Sequence, residues 1–95
     1  MPILEPDELT AALAALPGWA VHDGMLQKAF TFDEGFITGI RFVDAVADAA
    51  EAADHHPDID IRWTTVTIRL VTHSEGGITE MDVALAGACD RLAAR

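Results

Sequence analysis

The alternation across residues 63–73 is the strongest constraint on how this chain folds. Val66, Ile68 and Leu70 fall on one side of an extended segment, and Trp63, Thr65, Thr67, Arg69 and His73 on the other. A strand with one apolar and one polar face needs partner strands beside it and a cover on one side only. The rest of the chain has to supply both.

Pro6 opens a helix, where the first turn tolerates proline, and Asp7 and Glu8 suit the positive end of its dipole. Leu9, Leu13 and Leu16 recur at helical spacing until Pro17-Gly18 stops the run. Residues 19–21 are apolar, His22-Asp23-Gly24 is turn chemistry, and residues 25–32 alternate as a strand, which together predict a hairpin. Asp33 is placed to cap a long helix, with Phe32 and Ile37 as its hydrophobic staple and Phe36, Ile40, Val43 and Ala47 as its buried stripe. That helix runs to about Asp54, because Pro57 forces its predecessor out of helical geometry. Residues 58–62 are short, acidic and extended; residues 74–77 form a turn. Thr79 caps a last helix, with Ile78, Met81, Leu85, Ala88 and Leu92 as its stripe and Asp82 at capping-box spacing. The order α-β-β-α-β-β-α, without βαβ alternation, predicts an α+β fold: four antiparallel strands with three helices packed on one face. With no linker or repeat, the whole chain, 1–95, reads as a single domain.

Composition narrows the function classes. Hydrophobic types at 51% against 23% charged exclude a disordered or fibrous chain. Six Lys and Arg against 16 Asp and Glu give a net charge of -10, which repels phosphate backbones and anionic lipid, so neither nucleic acid nor a membrane is an expected direct partner. No apolar run reaches membrane-spanning length, and the N-terminus lacks the basic-then-apolar layout of a signal peptide, so a cytoplasmic location is expected. Cys89, the single cysteine, falls in a helical pattern and reads as a buried thiol.

His55 and His56 lie at the end of the long helix and His73 at the end of the long strand, so one rim of the fold can gather all three. The plain alternative is a solvated helix end. Against it, Glu51 precedes His55 by four residues, one helical turn, and Asp54 adds charge beside the pair. A carboxylate beside an imidazole can fix its tautomer and favour its protonated form, which suits proton donation near neutral pH. Metal binding fits less well: adjacent residues on a helix point about 100° apart, and the His-x-x-x-His spacing of helical zinc sites is missing. Nucleophile elbows, phosphate loops and dinucleotide fingerprints are also missing. Trp63 and Arg69 read as a cross-strand packing pair, Asp82 as a helix cap, and His22 as a solvated turn residue.

Taken together, Glu51-Ala52-Ala53-Asp54-His55-His56-Pro57, Trp63, Thr72-His73 and Asp82 at these spacings resemble the pterin-4a-carbinolamine dehydratases. The resemblance spans nearly the whole chain, including the Trp-containing first hairpin and the Gly-Ile-Thr…Asp…Leu-Ala helix. Thr64 departs from a frequent Asn, and Met81 from a basic residue that often precedes the Asp. The family implies a four-stranded antiparallel sheet with helices on one face. It also implies dehydration of 4a-hydroxytetrahydropterin to quinonoid dihydropterin, with neither metal nor redox cofactor. The implied pterin pocket takes Glu51, Asp54, His55 and His56 from one side and Val71, Thr72, His73 and Ser74 from the other. Within it, His55 and His73 are assigned to proton transfer and His56 to binding and orientation. A homodimer or homotetramer is implied as well. The alternative is a non-catalytic binding module on the same fold: animal members of the family also serve as dimerisation partners of a homeodomain transcription factor, and some bacterial relatives with a degraded site act as assembly chaperones. Retention of all three histidines favours the enzyme over such a module.

Overall fold

Two tight hairpins set the register of the sheet. In the computed structural model, which describes residues 2–94, β1 (Ala20–His22) turns into β2 (Met25–Thr31) through Asp23 and Gly24, both at positive φ, 51° and 78°. That is the backbone of a type I′ turn, whose twist matches the strands it joins. β3 (Asp58–Arg62) turns into β4 (Thr65–Leu70) in the same number of residues, with Trp63 at φ 53°. The four strands pair antiparallel in the order β1-β2-β4-β3, so β2 and β4 are central. Leu26 stands opposite Leu70, Phe30 opposite Val66, and Ile59 opposite Ile68. One face of the sheet is therefore an apolar row, and the other carries Gln27, Thr31, Thr65, Thr67 and Arg69.

Helices cover the apolar face. α2 (Phe36–Ala53) buries Gly39, Phe42, Val46 and Ala50; α3 (Glu80–Ala93) buries Asp82, Leu85, Ala86 and Cys89. α1 (Pro6–Ala14) adds Leu9 and Leu13 to the edge of the same core. Leu26, Val66, Ile68 and Leu70 are fully enclosed, each contributing on the order of 1.5–3 kcal/mol by leaving water. Gly39 lets α2 approach the sheet, since a Cβ there would stand 3.3 Å from the Val66 side chain. Phe42 packs between Phe30 and Phe32, at ring separations of 4.9 and 5.1 Å, and Trp19 meets Phe30 edge-on at 6.0 Å. Asp90 on α3 ties down the first hairpin by accepting from Trp19 Nε1 at 3.0 Å and Lys28 Nζ at 2.8 Å. Among the described residues no helix is long and apolar enough to cross a membrane.

The α+β class, element order and one-sided cover agree with the sequence reading. Four details differ. α3 buries Asp82, Leu85, Ala86 and Cys89, so Met81, Ala88 and Leu92 of its expected stripe are only half-buried. Gly35, not Asp33, is the N-cap of α2, and Phe36 and Ile37 are 47% and 54% exposed, so no staple forms. The buried stripe of α2 is Gly39, Phe42, Val46 and Ala50 rather than Phe36, Ile40, Val43 and Ala47. The helix has apolar residues on neighbouring faces, and close approach at Gly39 selects which one turns inward. The long strand is shorter than its alternation: Trp63 sits in the turn, 77% exposed, and Arg69 Nε donates to Gln27 Oε1 at 2.8 Å instead of packing on Trp63. Beyond Leu70, only the Thr72–Gly77 bridge continues the pairing.

Candidate active site

The site is built from the end of α2, the end of β4 and the start of α3. At the end of α2, Asp54 takes a left-handed conformation (φ 50°, ψ 44°), the position glycine most often fills. Its N–H bonds the Glu51 carbonyl, and the His55 N–H reaches back to the Ala50 carbonyl at 3.1 Å. This pair of bonds is a Schellman turn, and it satisfies carbonyls that would otherwise have no partner. Pro57 then prevents any return to helix. The reversal sends the two histidines apart: His55 is buried and His56 exposed.

His55 meets Asp82. Its Nε2 lies 2.5 Å from Asp82 Oδ1, across 27 residues of sequence. Asp82 is fully buried at the third position of α3, inside the capping box of Thr79, where its Oδ2 accepts the Thr79 N–H at 2.9 Å. The N-terminal dipole of α3 favours a negative charge at that place. The same Oδ2 accepts the Thr72 hydroxyl at 2.9 Å, which joins the end of β4 to the cluster. His73 follows Thr72 into a tight loop held by Thr72, whose carbonyl accepts from Glu75 and Gly76 and whose N–H bonds Gly77. His73 and Ser74 are exposed there, and Val71 is half-buried. His56 pairs through Nε2 with Glu51 Oε2, both on the surface.

His55 also lines a groove of about 220 Å³ between α2 and α3. The rest of its wall is Ala49, Ala53, Met81, Ala84, Leu85 and Ala88. A single imidazole in an apolar wall, backed by a buried carboxylate, can hold a flat ligand and exchange a proton with it. Among the described residues no three His, Cys, Asp or Glu side chains are grouped to hold a metal ion.

The structure thus brings His55, Thr72 and Asp82 into direct contact and sets His73 one residue from Thr72. Among the described residues no hydrogen bond joins one imidazole to another. One expected contact is corrected: Glu51 pairs with His56, not His55, because the left-handed turn at Asp54 breaks the helical i, i+4 relation. Asp54 is exposed and contributes through its backbone. Asp82, read from sequence only as a cap, is also the partner of His55. The missed signal was its place on the buried stripe with Leu85, Ala86 and Cys89, where an ionisable group needs a partner.

The chain is thus a small α+β domain with a buried imidazole–carboxylate pair beside an interhelical groove, an arrangement able to hold a small molecule and exchange a proton with it, and fold and site together define its class. Comparison with known proteins narrows that class to one family. The family model for pterin 4 alpha carbinolamine dehydratase matches residues 2–92, and the chain belongs to this family. A relative from Mycobacteroides abscessus, carried under the provisional name pterin-4-alpha-carbinolamine dehydratase, is 56% identical over 90 residues, covering 95% of each chain. The crystal structure of a transcriptional coactivator/pterin dehydratase from Brucella melitensis superposes with a TM-score of 0.91 at 35% identity, covering 96% of this chain and 98% of that one. A pterin dehydratase-like protein identified as a RuBisCO assembly factor in the alpha-carboxysome matches with a TM-score of 0.64 at 32% identity, over 79% of this chain and 86% of its own.

Proposed function

We propose that this protein dehydrates 4a-hydroxytetrahydropterin to quinonoid dihydropterin, in the recycling of a tetrahydropterin cofactor in the cytoplasm. The observation that carries the reading is His55, held by a buried Asp82 at 2.5 Å in the wall of an interhelical groove. Elimination of water across C4a–N5 needs an acid to protonate the departing hydroxyl and a base to take the N5 proton. Imidazoles serve both roles near pH 7 without metal or redox cofactor. His55 and His73 are the proton-transfer pair. His56, steadied by Glu51, binds and orients the pterin, with Asp54, Val71, Thr72 and Ser74 around the same corner. The protein works as a homodimer or homotetramer, since a chain of this size gains from burying more surface.

The test is turnover of synthetic 4a-hydroxytetrahydropterin by the purified protein, with and without chelator. Acceleration that survives chelation is expected. A preparation that is inert, or active only after zinc is supplied, would sink the reading.

A second reading is a non-catalytic assembly or coactivator module on the same fold. Likeness to a dehydratase-like assembly factor favours it. Absence of turnover in a folded preparation that retains His55, His56 and His73 would favour this module over the enzyme.

A further inference from the structure

Behind His55 lies a run of hydrogen bonds with a definite direction. The Thr72 hydroxyl donates to Asp82 Oδ2 at 2.9 Å. With its one proton engaged there, its oxygen can only accept across the 2.8 Å contact to Thr79 Oγ1, so Thr79 is the donor. Thr79 Oγ1 in turn accepts the Met81 N–H at 3.2 Å. Every hydroxyl proton points toward the carboxylate. A carboxylate has no proton to return, so the 2.5 Å contact between Oδ1 and His55 is an Nε2–H donated to Asp82. Thr79 and Asp82 are fully buried and Thr72 nearly so, which shields these bonds from bulk water. The opposite tautomer would set the Nε2 lone pair against a buried carboxylate and leave its Oδ1 without a donor.

The other ring nitrogen is in a different position. Nδ1 makes no hydrogen bond among the described residues, yet none of their buried side-chain nitrogens or oxygens lacks a partner. Nδ1 is therefore what His55 presents at the surface, although the residue as a whole is only 8% exposed.

We infer that Thr79, Thr72 and Asp82 lock His55 as its Nε2–H tautomer, so that Nδ1 is the nitrogen that exchanges protons with a bound substrate. Thr72 is then a positioning residue, with its hydroxyl turned to Asp82 rather than to the ligand. The kinetic half of this inference rests on the dehydratase reading; the tautomer does not.

Two-bond ¹H–¹⁵N correlation spectra of the ¹⁵N-labelled full chain at about pH 9, where an imidazole is ordinarily neutral, test the tautomer directly. The His55 ring should show one form, pyrrole-type Nε2 and pyridine-type Nδ1. The reverse pattern, or the averaged shifts of a mixture, would overturn the inference. Thr72→Val keeps the shape and removes the hydroxyl. It should shift His55 toward a mixture and lower kcat about ten- to a hundredfold, the range for loss of a group that orients a functional histidine. KM should stay within about twofold, and Thr72→Ser should restore both readouts. Thr72→Val with a single tautomer and wild-type kcat would remove Thr72 from the positioning role. Should Thr72→Val not fold, Thr72→Ala, which also lacks the hydroxyl, takes its place with the same expected outcomes, and the wild-type spectrum decides the tautomer. A wild-type protein without turnover defeats the dehydratase reading alone, and the spectrum then judges the tautomer by itself.

Discussion

His55 and His56 are adjacent in sequence and both pair through Nε2 with a carboxylate, but they differ in burial and in which carboxylate that is. One is buried against Asp82 and the other is exposed beside Glu51. Their replacement should therefore separate kinetically. His55→Ala removes the proposed proton-transfer group and leaves Asp82 Oδ1 buried without a donor, so kcat should fall by about 10²–10⁴-fold. His56→Ala should raise KM more than it lowers kcat, and Glu51→Ala should do the same more weakly, because it acts through His56. Steady-state kinetics on the three variants check the assignment. A His56→Ala protein without turnover beside an active His55→Ala protein would exchange the two roles.

The element that makes this division is the C-terminal turn of α2. Asp54 holds a left-handed conformation that costs a residue with a Cβ about 1–2 kcal/mol, less for Asp than for most. A β-branched side chain fits that region worst. Asp54→Val should accordingly lower stability by about 1–2 kcal/mol, where each kcal/mol moves the melting temperature of a domain this size by about 4–8 °C. Asp54→Gly should melt close to wild type. Thermal unfolding followed by circular dichroism decides, and an Asp54→Val protein as stable as Asp54→Gly would mean that the turn is not strained. The same substitution should impair activity, since the turn directs one histidine inward and the other outward.

For the whole molecule, Cys89 reports on the integrity of the core. It is fully buried, and burial, with a smaller contribution from Asp90, pushes its thiol up to about 12. The neutral form is thus preferred in the folded state. Its stabilisation is complete below the ordinary value of 9.0 and is lost as pH rises from there toward 12. Alkylation by iodoacetamide at pH 8 should be negligible in the native protein and should follow the denaturant unfolding curve. Fast labelling under native conditions would mean that α3 opens locally. The proposed self-association is a property of the same scale. Phe36 and Ile37 stand exposed at the start of α2, and light scattering at tens of micromolar, about the range where mass action reveals weak pairing, should give two or four times the 10.2 kDa chain mass. A monomeric mass would count against it.

Periodicity and breakers determined much of this protein from sequence alone. Alternation at Val66, Ile68 and Leu70 required a sheet with one dry face. Asp23-Gly24 required a hairpin, Pro57 set the limit of the long helix, and Thr79 began the last one. These are local effects: a residue's own conformational preference and that of its neighbours settle them before any tertiary contact forms. The resemblance to the family was equally legible, because it lies in spacings along the chain. Tertiary packing alone decided the rest. Sequence presents α2 with two plausible apolar stripes, and only the close approach at Gly39 shows which is buried. Glu51 is one helical turn from His55, yet the partner of His55 is Asp82, 27 residues away. A hydrogen bond across that separation depends on how α2, β4 and α3 pack against one another, and local pattern carries no record of it.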